Sequence, residues 1–162
     1  MSDFTEPAVG HREDAPTYQF LDNLAYIVVP GDDTAGRRSV VEMHQPEGHT
    51  TPMHVHEETD ETLHVLEGAI TAHVADTSSQ VTAGGTVVLP RGEPHALVAD
   101  EPSVVLVSNT PAGFDEFVMA AGEPTDDETV PTPPPSDDAI QRVREAAPEH
   151  GIELVGPPPG HQ

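Results

Sequence analysis

Three side chains that could bind a metal are clustered between residues 48 and 68. His54 and His56 are two residues apart. In a β-strand the side chains at positions i and i+2 point to the same face, so two imidazoles at this spacing can converge on one ion. Glu61 follows a short acidic turn and opens a second apolar run, and a hairpin would bring its carboxylate beside the two histidines. His95, farther along the chain, is a fourth candidate ligand.

The available donor atoms limit the kind of metal site. The chain has no cysteine, which excludes a thiolate zinc site and a disulfide framework. Imidazoles combined with one carboxylate suit Fe(II), Mn(II), Ni(II), Co(II) or Zn(II), and the donor set does not select among these ions. Four protein ligands on a six-coordinate ion would leave two positions for water, oxygen or a chelating substrate. We therefore expect one divalent transition metal in an open, catalytic type of site.

The residues around the candidate ligands resemble the first motif of the cupin superfamily, G(X)5HXH(X)3-4E(X)6G. Its positions are all matched, by Gly48, His54, His56, Glu61 and Gly68. The step of six residues to Gly68 selects Glu61 over the acidic residues that precede it. The resemblance therefore implies that these two histidines and Glu61 are metal ligands.

The second cupin motif, G(X)5PXG(X)2H(X)3N, is matched in part. Gly84, Pro90, Gly92 and His95 occupy its first four positions, whereas Ala99 stands where the motif has Asn. The asparagine is not a metal ligand in the family, so its replacement concerns loop geometry more than metal binding. The resemblance covers roughly residues 18 to 110, and the second motif implies that His95 completes the ligand set.

The resemblance also implies a fold and an activity. The implied fold is all-β: a cupin double-stranded β-helix, or jelly-roll barrel, with one or two short C-terminal helices. The implied activity is that of a metal-dependent dioxygenase similar to quercetin 2,3-dioxygenase, acting on a small aromatic or enolisable substrate, with Glu61 both binding the metal and accepting a substrate proton. The alternatives are a non-catalytic metal- or small-molecule-binding cupin and a cupin isomerase or decarboxylase. Related proteins commonly pair through exposed strand faces, so we expect a homodimer.

Short strands between turns must position the ligands. Runs rich in apolar and β-branched residues, separated by turn residues, predict strands at residues 18–29, 37–45, 70–75, 80–82, 86–89, 95–99 and 103–110. No helical pattern separates them, which favours an antiparallel sandwich or barrel.

The chain beyond residue 110 has a different character. Apolar residues at helical spacing from Phe114 to Ala121, with Gly122 after them, predict a short helix. An acidic, proline-rich linker is expected at residues 123–135, followed by a second helix that Ser136 caps and that ends near Pro148 or Gly151. We accordingly divide the 162 residues into a disordered acidic N-terminus (1–16), one barrel (17–111) and a C-terminal region (112–162).

The net charge is extreme. Six arginines and no lysine accompany 29 acidic residues, which gives a net charge of -23 at pH 7. Such a field repels phosphate groups and excludes nucleic acid as a partner. The acids divide as 9, 8 and 12 among residues 1–47, 48–100 and 101–162, so the charge is spread over the whole surface. This distribution favours a protein from a halophile, in which salt screens the repulsion.

Two further expectations concern location and the remaining side chains. No basic region precedes an apolar run at the N-terminus and no long apolar stretch follows, so we expect a cytoplasmic protein that does not contact a membrane. His64 and His73 are expected to face outward or toward a subunit partner. His44 and His49 flank the entrance to the first motif, where a histidine is more often an ordinary surface or core residue than one that contacts a ligand. The other histidines lie in the tails (His11, His150, His161). Side chains that could line a cavity or serve as ordinary packing are Tyr26, Met43, Met53 and Phe114.

Overall fold

Antiparallel strands provide most of the regular structure in residues 3–160, the part of the chain that this computed structural model describes. The strands are β1 (Thr17–Phe20), β2 (Asn23–Val29), β3 (Ser39–Gln45), β4 (Met53–His56), β5 (Asp60–Glu67), β6 (Ala69–Val74), β7 (Thr77–Thr82), β8 (Thr86–Leu89), β9 (His95–Ala99), β10 (Ser103–Thr110), β11 (Glu123–Pro124) and β12 (Ile152–Gly156). Two short helices, α1 (Phe114–Ala121) and α2 (Asp137–Ala146), follow the main barrel strands. The expected all-β class with short C-terminal helices is confirmed.

The strands form two sheets that face each other. One has seven strands in the order β11-β1-β2-β3-β10-β5-β8, and the other has five in the order β12-β4-β9-β6-β7. From β4 to β10 the chain crosses repeatedly between the two sheets, which is the connectivity of a jelly-roll barrel. Residues distant in sequence therefore meet in the interior between the sheets.

Strict alternation along β5 explains why a carboxylate lies inside the barrel. Glu61, Leu63 and Val65 are buried, whereas the residues between them are more exposed. Since successive side chains of a strand point to opposite faces, the apolar inner face that buries Leu63 and Val65 also directs Glu61 inward. Burial of these two aliphatic side chains at roughly 1.5–3 kcal/mol each helps to hold the register that keeps Glu61 in place.

The C-terminal region packs back on the barrel. Ser136 caps α2, its hydroxyl accepting a hydrogen bond from the Ala139 amide at 3.1 Å, as the sequence predicted. The helix buries Ala139, Val143 and Ala146, and a 3-10 turn at Ala147–His150 leads into β12, which pairs with β4. No helix among residues 3–160 is long and apolar enough to cross a membrane.

The structure differs from the expected disorder at the N-terminus. Residues 3–16 include a 3-10 turn at Arg12–Asp14, and the Arg12 guanidinium donates to the Glu42 carboxylate at 3.3 Å. A Cβ on Gly10 would stand 1.8 Å from the carbonyl oxygen of Val28, so the segment runs against the backbone of β2. Composition alone missed this packing because it depends on contacts with the barrel. The tail residue His161 lies outside the described residues.

Candidate metal centre

The four residues singled out by the sequence converge on one point. His54 and His56 come from β4, His95 from β9 and Glu61 from β5 of the facing sheet. Each offers one ligand atom, and these atoms all lie within 4.8 Å of one another. His56, Glu61 and His95 are buried, and His54 is half-buried, which places it toward the open side of the cluster.

Sheet register accounts for this convergence. His54 and His95 are direct partners across the antiparallel pair β4 and β9. His56 lies two residues along β4 from His54, so its side chain leaves the same face of the sheet. Glu61 approaches from the other sheet, where it pairs with Leu89 of β8 and Asn109 of β10. The ligands are thus positioned by main-chain pairing rather than by flexible loops.

Backbone carbonyls orient two of the imidazole rings. The Nδ1–H of His54 donates to the Pro52 carbonyl at 2.8 Å, and the Nδ1–H of His95 donates to the Glu93 carbonyl at 3.3 Å. Each bond fixes the tautomer in which Nε2 carries a free lone pair, and such an outer hydrogen bond is common for metal-binding histidines.

The distances between ligand atoms suit a single ion. The Glu61 Oε2 atom lies 3.1 Å from His95 Nε2 and 3.3 Å from His56 Nε2. Adjacent ligands on an octahedral ion with bonds of about 2.1 Å lie about 3 Å apart. The imidazole and carboxylate donors therefore fit a divalent transition metal in both chemistry and spacing.

Burial and mutual charge set the protonation of the ligands. Burial, assisted by the nearby His95 and His56, lowers the pKa of His54 to about 4. Burial acts to raise the pKa of Glu61, but His56 and His95 outweigh it and hold that pKa well below its usual range. Burial also acts to lower the pKa of His56, yet the Glu61 carboxylate outweighs it and raises that pKa. At neutral pH, Glu61 is ionised and His54 neutral, which are the forms that bind metals.

A small apolar cavity adjoins the cluster. Its volume is about 70 Å³, and His54, His56 and Glu61 form part of its wall. The apolar wall draws on both sheets and on the C-terminal region, including Phe20, Met43, Leu97, Phe114, Phe117 and Ile152. A ligand in this cavity would contact the metal at one end and hydrocarbon along its sides.

The other residues considered from sequence divide between the interior and the outer surface. Met43, Phe114 and His49 line the cavity. The His44 Nε2–H instead donates to the Glu42 carboxylate at 2.7 Å. The His44 ring packs against Tyr26, whose hydroxyl donates to Glu128. The remaining candidates do not line it: Met53, His64, His73, His11 and His150.

Sequence reasoning missed the polar pair Asp22 and Asn23. Both side chains are only 1% exposed, and Asn23 lines the cavity. A signal was present, because these two residues interrupt the otherwise apolar run of residues 18–29. When strands are predicted from sequence, Asp and Asn indicate a turn. Only the folded chain shows that this turn is buried beside the cavity.

Residues 41–109 match the family model described as the cupin domain. These residues include all four candidate ligands. No curated protein sequence matches the chain.

Solved structures share the fold at low sequence identity. KdgF from Halomonas sp. is 21% identical with a TM-score of 0.60, covering 67% of this chain and 99% of that one. An RmlC-like cupin from Shewanella frigidimarina is 15% identical with a TM-score of 0.60, covering 70% and 98%. A variant of oxalate decarboxylase from Bacillus subtilis is 18% identical with a TM-score of 0.58, covering 70% and 32%. These likenesses confirm the double-stranded β-helix fold.

Proposed function

We propose that the chain is a cupin and a metal-dependent dioxygenase for a small, enolisable substrate. The match of residues 41–109 to the cupin domain model and the double-stranded β-helix fold support the first part of this proposal. The observation that carries the proposal is the convergence of three imidazoles and one carboxylate within 4.8 Å at the wall of an apolar cavity. A structural metal site is usually closed by its protein ligands, whereas this one borders a space that a ligand can enter.

Glu61 has two tasks in this proposal. Its Oε2 atom faces His56 and His95 and is the metal-binding oxygen, which leaves Oε1 to accept the proton of a substrate hydroxyl. A divalent transition metal bound there would supply Lewis acidity and, where it is redox-active, the capacity to activate oxygen. The apolar wall excludes water, so charges that develop on the substrate oxygen interact strongly with the ligand cluster.

The cavity favours a substrate much smaller than a flavonol. Pockets for drug-sized ligands typically measure about 300–1,000 Å³, and this cavity measures about 70 Å³. We therefore infer that a chemistry of the quercetinase type would act here on a compact molecule, such as a short diol or an enolisable acid. The four candidate ligands would hold the metal that supplies it, and Glu61 would accept the substrate proton.

The small cavity also favours a second candidate, a non-catalytic metal-binding cupin. In that case the side chains would fill the interior close to the metal and leave room for solvent molecules only. The two candidates differ in oxygen uptake, since only the enzyme consumes oxygen when substrate is added.

The test begins with metal analysis of protein purified in molar salt. We expect one divalent transition metal per chain. Oxygen consumption is then screened over small diols and enolisable acids, with quercetin as the oversized control. Substrate-dependent uptake with a small compound supports the dioxygenase, stoichiometric metal without uptake by any compound supports the binding protein, and absence of bound metal contradicts both.

We also propose that the protein is a cytoplasmic homodimer. Val88 on β8 is 62% exposed and Leu66 on the neighbouring β5 is 40% exposed, and both lie on the outer face of the seven-stranded sheet. Such a pair gives two copies an apolar surface to share. Light scattering in molar salt should give twice the 17.2 kDa mass of one chain, and a Val88→Glu substitution should return it to that mass.

A further inference from the structure

The hairpin turn between β1 and β2 carries a buried polar side chain to the cavity. Phe20 and Asn23 are direct partners, so the turn consists of Leu21 and Asp22. Leu21 has a φ of 56°, in the left-handed region that non-glycine residues seldom adopt. Turns normally lie at the surface, yet Asp22 and Asn23 are each only 1% exposed. Residues in unfavourable backbone conformations cluster at ligand sites, and this turn also buries two polar side chains.

A chain of hydrogen bonds holds the Asn23 amide in one orientation. The Asp22 carboxylate can only accept, so the Nδ1–H of the buried His49 donates to Asp22 Oδ1. The Asn23 amide nitrogen can only donate, so His49 Nε2 accepts from Asn23 Nδ2 at 3.2 Å. With its nitrogen fixed on His49, the Asn23 amide must direct its oxygen elsewhere.

That oxygen has no partner among the described residues. Asn23 Oδ1 is buried without a hydrogen bond, although a buried amide oxygen is almost always paired. Asn23 and His49 both line the cavity that the metal ligands line. The acceptor is therefore located where a molecule in the cavity could donate to it.

We propose that Asn23 Oδ1 accepts a hydrogen bond from a hydroxyl or amino group of the substrate, and that Asp22 and His49 act as positioning residues for its amide. The inference rests on the proposed function and specifies its substrate class. The substrate has an oxygen that binds the metal, a short apolar body that contacts the hydrocarbon wall, and a hydrogen-bond donor that reaches Asn23.

Matched pairs of simple carboxylates test this without knowledge of the substrate. Protein loaded with Co(II) is titrated with ω-hydroxycarboxylates of two to five carbons and with the same acids lacking the hydroxyl, and binding is followed by the visible absorption of the cobalt. At one chain length the hydroxy acid should bind about fivefold more tightly than its match, the effect of one net hydrogen bond. Asn23→Leu should reduce this ratio to about one, with both affinities measured in the variant itself.

Gln45→Leu is the matched control. Gln45 is also buried and lines the same cavity, but it takes no part in the hydrogen-bond chain from Asp22 to Asn23. This variant should keep the fivefold ratio. His49→Phe removes the acceptor that holds Asn23 Nδ2, so it should lower the ratio. A purely structural role would instead weaken the binding of both acids equally and leave the ratio unchanged.

A second measurement covers the case in which Asn23→Leu does not fold. In wild-type protein loaded with Zn(II), the side-chain amide NMR signal of Asn23 should shift with the preferred hydroxy acid and not with its match. The inference is overturned if no chain length shows a preference, if the preference persists in Asn23→Leu, or if Gln45→Leu also loses it. If the protein binds Co(II) and the plain acids but shows no preference for the hydroxy acids, this inference alone is overturned. If the protein does not bind Co(II), the proposed function is overturned with it.

Discussion

His54 and His95 are direct partners across the antiparallel strands β4 and β9, and their ring centroids lie 4.4 Å apart. Residues opposite each other on one face of such a pair have Cβ atoms about 4.5–5.5 Å apart, so the sheet itself brings the two imidazoles together. The hydrogen bonds to Pro52 and Glu93 then set the rings in their metal-binding tautomers. Strand pairing and these two hydrogen bonds therefore define the geometry of the candidate ligands, and metal binding should respond to single substitutions in a predictable way.

The first prediction concerns the histidine ligands. His54→Ala or His95→Ala removes one of four donors and should reduce bound metal to well below one per chain after dialysis, because fewer donors hold the ion. Plasma emission spectrometry of the dialysed protein measures this. His73→Ala, on a neighbouring strand and outside the ligand set, should keep the wild-type content. Full metal content in the His54 and His95 variants would show that the site has been assigned to the wrong residues.

The second prediction separates metal binding from catalysis at Glu61. Glu61→Gln leaves three imidazoles, which should still hold a divalent ion, although more weakly. The amide cannot accept a proton, and loss of a general base typically lowers a rate by about 10²- to 10⁴-fold. Turnover is measured with the small substrate found by oxygen uptake, with metal in excess to restore occupancy. Full activity of Glu61→Gln would contradict the proton-accepting role.

The third prediction concerns the glycine between β5 and β6. Gly68 has a φ of 83°, and a Cβ there would stand 2.3 Å from the Pro102 carbonyl oxygen and 2.5 Å from Ser103 Oγ. Gly68→Ala therefore adds a clash with backbone to the cost of a left-handed conformation. The matched control is Gly84→Ala, with a φ of 90° and no atom within 4 Å of the added carbon.

We expect Gly84→Ala to lower the free energy of unfolding by about 1–2 kcal/mol, the cost of that conformation for an L-residue. Gly68→Ala should lower it by at least about 2 kcal/mol more, since neither the carbonyl nor the adjacent backbone can move freely. Urea denaturation of the two variants gives the difference. Equal losses would mean that the backbone around residue 102 yields to the methyl group.

The fourth prediction concerns salt. With a net charge of -23, carboxylates across the surface repel one another unless ions screen them. The screening length falls from about 10 Å at 0.1 M salt to about 3 Å at 1 M. The melting temperature should therefore rise steadily with KCl concentration up to the molar range. A midpoint that is independent of salt would remove the argument for a halophilic protein.

The sequence predicted the strands of the barrel with small errors at their ends. The strands at 86–89, 95–99 and 103–110 have the predicted bounds, because turn residues flank each short apolar run. The run 18–29, predicted as one strand or more, forms two strands joined at Leu21 and Asp22. The strand β12 was not predicted, since it forms only by pairing with β4, far away in sequence.

Among the histidines, the sequence singled out the three that the fold brings together, but it could not separate the two that neighbour them. His44 and His49 looked alike, each close to the first ligand pair. His49 lies inside, beside Asp22 and Asn23, whereas His44 lies on the outer side of the sheet beside Glu42. Which face a strand residue occupies can be read from alternation, but a residue in a turn follows no such period.

What the sequence determined by itself is which residues are candidate metal ligands, because the period of two in a strand and the spacing of glycines and prolines are local properties of the chain. His54, His56, Glu61 and His95 are recognisable without any structure. Only the tertiary structure decided what surrounds them. The size of the cavity, its apolar wall from α1, α2 and β12, and the unpartnered oxygen of Asn23 all arise where segments distant in sequence meet between two sheets. Their arrangement depends on packing and strand register, which no local pattern encodes.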